Sequence, residues 1–122
     1  MIVAGLAAAG ALGALLRHLV DHLVQRRIRS GFPLGILVVN VSGSFVLGVL
    51  VASGIRHGIS AAWLTVAGTG LIGSYTTFST FAFDSVRLAE ADRRAVSLLN
   101  VAVSITAGIG AAAAGLAVGS LT

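Results

Sequence analysis

The segment GLIGSYTTFSTF, from Gly70 to Phe81, holds the densest chemistry in this 122-residue chain. Ser74, Thr76, Thr77, Ser79 and Thr80 put five small hydroxyls within seven positions, and Phe78 and Phe81 stand three apart, on one face of a helix. A hydroxyl can donate to an anion or accept a main-chain N–H, and a phenyl ring carries a positive edge that can meet an anion. Two further polar rows accompany the segment. Asn40, Ser44 and Gly48 step by four, as do Asn100, Ser104 and Gly108, so each row occupies a single helical face. An amide in an apolar medium is costly unless it is hydrogen-bonded. Asn100 and Ser104 therefore fit clasps between helices as well as they fit a polar path. Asn40 lies nearer mid-helix, where a polar side chain is most expensive in lipid, and fits a clasp less well.

The hydroxyl run leaves two readings open. Serine and threonine can bond back to their own helix, which would make the run packing material. Five of them beside Gly70 and Gly73 also fit a broken or unwound turn. Irregular backbone at membrane depth is tolerated only within protein or beside water, where its freed carbonyls can bind a cation. Ordinary packing against lipid or core accounts for Phe78 and Phe81 from the residues alone.

Thiolate chemistry is excluded by composition, and no catalytic constellation appears. There is no cysteine, hence no disulfide and no thiolate metal site. No HExxH, no Ser-His-Asp set and no phosphate loop with its lysine occurs. His18, His22 and His57 fall near expected helix ends and read as interfacial, while Asp84, Glu90 and Asp92 read as solvated charges. A non-enzyme is expected.

The elements that must carry these residues are set by hydropathy. The chain is 57% hydrophobic and only 10% charged, where a soluble domain would carry about 25% charged residues. Its mean hydropathy is +1.01. Four charge-free blocks run from Ile2 to Leu16, Pro33 to Ile55, Gly58 to Phe83 and Ala95 to Thr122. A hydrocarbon core about 30 Å thick needs roughly 20 helical residues. The last three blocks reach that length, and the first does so if Arg17 and His18 lie at the interface or face a wet cavity. One domain, residues 1–122, is expected, an all-α integral membrane protein of four transmembrane helices. The spans are placed at about 2–24, 33–55, 58–86 and 95–118. Pro33 suits a first helical turn, where its missing N–H is no loss. The opening Met1-Ile-Val-Ala-Gly lacks a basic region and does not read as a secretory signal.

All eight cations are arginine, giving a net charge of +4. They fall between apolar blocks rather than on one basic face, which points to the membrane surface and away from nucleic acid. Arg26, Arg27, Arg29, Arg87, Arg93 and Arg94 belong to the first and third connections, and only Arg56 to the second. The positive-inside rule then makes the first and third connections cytoplasmic and both termini external. Sixteen glycines favour close helix approach in lipid. Four helices of this length enclose little interior, so an oligomer is expected.

Three motifs carry a resemblance over essentially the whole chain. Gly10-Ala-Leu-Gly-Ala-Leu-Leu-Arg17 ends the first helix. Gly35-Ile-Leu-Val-Val-Asn40-Val-Ser-Gly43-Ser-Phe45 lies in the second and Gly73-Ser-Tyr-Thr76-Thr-Phe78-Ser-Thr80-Phe81 in the third. Together they resemble the Fluc/CrcB fluoride channels. The resemblance implies a fluoride-selective channel that exports F⁻ from the cytoplasm across the plasma membrane and protects against its toxicity. It implies an antiparallel dimer with two pores, whose third helices are broken near mid-membrane around a structural sodium ion. Gly73 and Thr76 match the positions whose backbone carbonyls hold that Na⁺. Asn40, Phe78, Phe81, Ser79, Thr80 and Ser104 match the fluoride path, and Arg17 matches a vestibule arginine. A pore for a small, strongly hydrated anion must replace its water with N–H, O–H and ring-edge donors. Asn40 offers two amide hydrogens for this, and no cation sits at mid-membrane to trap the ion.

Ser74, Ile36 and Gly108 depart from the family's pattern, at positions where it has a glycine, often a threonine and often a hydroxyl. The last two thin the expected polar lining. A dual-topology homodimer also needs nearly balanced arginines, so the bias here raises a heterodimer with an oppositely oriented sister subunit beside the homodimer. The alternative function is a small proton-coupled multidrug-type transporter. That class usually needs an acidic residue within the first helix, and Ile2 to Leu16 has none.

Overall fold

The computed structural model describes residues 1–122 and is entirely helical. Helix α1 spans Ile2–Arg27, α2 spans Leu34–His57 and α6 spans Arg94–Leu121. These three are long and apolar enough to cross a membrane. Between α2 and α6 the helix is broken into pieces. A short α3, Ala61–Leu64, runs into a π-helical stretch, Thr65–Ile72, and a single turn, α4, Gly73–Tyr75. After Thr76 and Thr77 it resumes as α5, Phe78–Glu90.

Glycine decides how closely the long helices approach. A Cβ on Gly115 would overlap the Phe45 carbonyl, one on Gly48 would stand 2.5 Å from the Ala112 carbonyl, and one on Gly119 would stand 2.5 Å from that of Val49. The α2–α6 seam is therefore a contact of backbone on backbone, which is how helices associate where lipid removes the hydrophobic drive between them. Gly13 on α1 does the same against the Leu71 carbonyl of the π stretch.

The break lets this broken segment change partners. Its first half, through α4, packs on α1, and its second half, α5, packs on α6. A continuous helix could not make both sets of contacts along one straight axis. The wide turns of the π stretch are closed by Gly73 N–H, which reaches back to the Gly68 carbonyl. π turns of this kind occur mostly as short insertions, frequently at functional sites.

Only 15 of 122 residues are buried, and the apolar core proper is Ile36, Val39 and Ile72. Little of the side-chain surface is therefore covered by the chain itself. Arg93 donates to the Gly31 carbonyl at 2.8 Å and so ties the first connection to the third. At the opposite end Arg56 donates to the Ser120 carbonyl at 2.9 Å. Six arginines thus gather at one end of the bundle and Arg56 stands at the other.

Candidate functional site

The site is built on the opening between α4 and α5, and the opening is made by hydroxyls and an amide rather than by glycine. Gly70 and Gly73 remain helical. The backbone extends at Thr76 (φ −76°, ψ 158°) and Thr77 (φ −150°, ψ 124°). The break therefore falls within the hydroxyl run, where the sequence reading set it, and not at the two glycines beside it. Gly70 is needed instead for close packing, since a Cβ there would meet Ala9 Cβ at 3.1 Å.

Asn40 holds the opening. Its Nδ2 donates to the Thr77 carbonyl at 2.9 Å, and its Oδ1 accepts the Thr77 N–H at 2.8 Å. One side-chain amide thus pairs with both backbone groups of a single residue, as a neighbouring strand would. Asn40 is therefore a clasp, the role the sequence favoured less. One of its two amide hydrogens is committed, and the second remains for another acceptor. Thr77 completes the arrangement with its side chain: Thr77 Oγ1 accepts the Thr80 N–H at 3.2 Å and caps α5.

The same bonds strip two carbonyls of their usual donors. In a continuous helix the Thr77 N–H would go to the Gly73 carbonyl, and the Thr80 N–H to that of Thr76. Both N–H groups are instead taken by side-chain oxygens, of Asn40 and Thr77. Thr76 Oγ1 bonds back to the Ile72 carbonyl at 3.0 Å, so it does not replace them.

Beside the opening runs a groove of about 320 Å³. Asn40, Gly43, Ser44 and Leu47 of α2 form one wall, and Thr76, Thr77, Phe78 and Phe81 a second. Ser104 and Ile105 of α6 close the third side. Gly43 makes room for the break, since a Cβ there would overlap Thr76 Cγ2. The rings of Phe78 and Phe81 lie 5.7 Å apart at 55°, and Phe78 is 78% exposed. A ring this bare, at the edge of a groove in a membrane helix, faces lipid or another protein surface. The first turn of α5 opens here too, and the leading N–H groups of a helix have no partner within it.

From Ser104 a polar seam continues between α6 and α5. Ser104 Oγ donates to Asn100 Oδ1 at 3.4 Å, and Asn100 Nδ2 donates to Ser85 Oγ at 2.9 Å. Ser97 Oγ donates to the Ser85 carbonyl at 2.7 Å. Asn100 is only 2% exposed, so its hydrogen bonds clasp the two helices together.

Of the residues singled out from sequence, the groove brings together Asn40, Thr76, Phe78, Phe81 and Ser104. Ser79 and Thr80 stand outside it, with their hydroxyls turned to Thr77 Oγ1 at 3.2 Å each. Gly73 is exposed beside the opening, and Arg17 lies partly buried on α1, outside the groove. Ile36 is a core residue, 5% exposed, so its apolar side chain takes nothing from this lining. Gly108 lies near Ser44 Oγ, 3.9 Å from where its Cβ would be. Sequence reasoning passed over Ser85 and Ser97. The signal was present: Ser85 follows Phe81 by four and Ser97 precedes Asn100 by three, on the same helical faces.

The family is decided by the sequence as a whole. The family model described as CrcB-like protein, Camphor Resistance (CrcB), matches residues 4–116. The chain belongs to the CrcB family. It is 41% identical over 121 residues to Fluoride-specific ion channel FluC 1 of Leifsonia xyli, covering 99% of this chain and 88% of that one. It is 47% identical over 107 residues to FluC 2 of Mycobacterium tuberculosis, covering 87% and 81%. With FluC 2 of Symbiobacterium thermophilum the identity is 42% over 110 residues, 89% of each chain. Membership agrees with the three apolar crossing helices, and the chain is an integral membrane protein.

Proposed function

We propose that this chain forms a fluoride-selective channel that lets F⁻ leave the cytoplasm down its electrochemical gradient. The observation that carries the reading is the groove beside the Asn40–Thr77 pairing, where an amide hydrogen, hydroxyls and two ring edges converge without a fixed cation. Strongly hydrated fluoride needs many weak donors in succession, and a buried arginine would hold it too firmly to conduct. The positive end of the α5 dipole adds a further attraction for an anion.

The groove of one subunit is too open to strip water. Its 320 Å³ has room for about ten or more waters, so conduction requires a second subunit to close it. The bare Phe78 ring supplies an apolar lip for that contact. The assembly is an antiparallel dimer with two such paths, in the plasma membrane; the arginine bias sets this chain's termini outside, and an oppositely oriented partner then has its own inside. In it Ser79 and Thr80 hold the Thr77 side chain, and Arg17 serves the vestibule.

A structural sodium ion fits the residues at the break. The Gly73 and Thr76 carbonyls have lost their N–H donors to Asn40 and Thr77 side chains, and a hard cation is bound by such oxygens. When bound, the ion supplies positive charge to carbonyls that lipid cannot solvate. This chain's own residues set the turn that frees them.

The test is efflux from liposomes reconstituted with the purified chain. Rapid fluoride release without chloride release is expected, and release from the chain alone means that a homodimer suffices. Silence alone but activity with an oppositely oriented sister subunit means a heterodimer. Equal fluoride and chloride release, or silence in both preparations, overturns the reading. Topology reporters separate the pairings independently: a fixed orientation fits the arginine bias, and reporters equally active on both sides remove the heterodimer.

A further inference from the structure

Away from the groove, a second cavity of about 340 Å³ opens at the arginine-rich end, between the first connection and the α5–α6 turn. Its polar lining comes from Gln25, Ser30, Asp84, Arg87 and Arg93, and Phe32, Pro33 and Leu88 supply an apolar wall. Arg93 spends one N–H on the Gly31 carbonyl, at 2.8 Å, which fixes its guanidinium and leaves its other donors free. The Arg87 guanidinium lies 5.7 Å from the Phe83 ring centre, held by its stem and a cation–π contact. Arg26, Arg27, Arg29 and Arg94 belong to the same two connections in the sequence, and no arginine of the chain forms an ion pair within 4.0 Å. Against two guanidinia the lining sets one carboxylate, Asp84.

From this geometry we infer that the cavity is a binding site for the phosphate of an anionic glycerophospholipid, with Arg87 and Arg93 as its ligands. Guanidinium groups match phosphate oxygens with paired N–H donors. Free phosphate would use the same two arginines. The lipid is favoured because the cavity lies where α1 and α5 leave the apolar span, and because its remaining wall is apolar enough to take the glycerol and upper acyl chain. Basic clusters beside membrane helices attract anionic headgroups for the same electrostatic reason. A lipid seated here would brace the first connection against the third, reinforcing the Arg93–Gly31 bond. The inference rests on membrane placement and not on fluoride conduction.

The test uses the detergent-purified full chain and reads thermal stability and lipid retention in native mass spectrometry, so it is independent of flux. Short-chain phosphatidylglycerol is expected to stabilise the chain and be retained, with short-chain phosphatidylcholine inert and inorganic phosphate weak at equal concentration. Arg87→Gln, which breaks no hydrogen bond seen in the structure, is expected to weaken phosphatidylglycerol about fivefold, the typical contribution of one arginine near an anionic surface. Arg93→Gln should weaken it further, and Arg56→Gln, at the other end, should leave it unchanged. Undiminished binding in Arg87→Gln overturns the site. Inorganic phosphate matching the lipid overturns the lipid assignment, and an equal loss in Arg56→Gln reduces the effect to general charge.

Discussion

Replacing Asn40 with alanine removes the two bonds that hold the chain open between α4 and α5, at 2.9 and 2.8 Å. A net hydrogen bond contributes about 0.5–1.5 kcal/mol, and interhelical bonds in membranes average about 0.6 kcal/mol. The pair is therefore worth about 1–3 kcal/mol. Relaxation can recover part of it, because the released Thr77 N–H can return to the Gly73 carbonyl if the turn rewinds. Rewinding, however, gives up the Thr77 cap on α5, itself worth roughly 0.5–2 kcal/mol. It would also carry α5 off its packing on α6. Asn40→Ala is thus expected to lower stability by about 1–3 kcal/mol in a denaturant titration of the detergent-solubilised chain. Fluoride efflux should fall at least about tenfold, since 1.4 kcal/mol at a barrier is one decade in rate and the groove loses its only amide donor. Asn40→Asp keeps an acceptor for the Thr77 N–H but turns a lone pair toward the Thr77 carbonyl and puts a negative charge beside the path. It should conduct no better than the alanine variant. A stability within about 0.5 kcal/mol of wild type, together with efflux within about twofold, would refute both the clasp and its place in the pore.

Three further outcomes follow from the same geometry. Phe78→Ile or Phe81→Ile removes a ring edge but keeps an apolar surface, so fluoride efflux should fall while cross-linking still captures the dimer; unchanged efflux in both variants removes the rings from the path. Gly115→Ala drives a methyl into the Phe45 carbonyl and should destabilise the α2–α6 seam by about 1–3 kcal/mol. Gly108→Ala, whose Cβ meets only Ser44 Oγ at 3.9 Å, should stay within about 0.5 kcal/mol, and denaturation of the two side by side checks the contrast. Asn100→Leu removes the partner of Ser104 Oγ and the donor to Ser85 Oγ, which keeps only its bond to the Phe81 carbonyl at 2.8 Å. It should cost about 1–2 kcal/mol, and a Ser85→Ala background should reduce that cost if the two residues act as one unit.

Membership in the CrcB family, the polar rows and the small-residue seams are properties of the sequence alone. Hydropathy over about 20 residues sets what can cross a bilayer, and a step of four places Asn100 and Ser104 on one face whatever surrounds them. The motif from Gly73 to Phe81 could likewise be read as the place where a helix fails to continue. Gly70 and Gly73, beside that run, stay helical, and what holds the break at Thr76 and Thr77 could not be read. The turn opens where Asn40, thirty-seven residues away in sequence, offers one donor and one acceptor to Thr77. A helix opens where another part of the fold can satisfy the freed backbone groups, and only tertiary structure brings that partner within reach. The same holds for Ser85, an unremarked serine until α6 lays Asn100 against it, and for Ile36, which packing sends to the core and away from the groove. Sequence set which residues could be polar within the membrane, and the packing of α2 and α6 on the broken crossing decided which of them face one another.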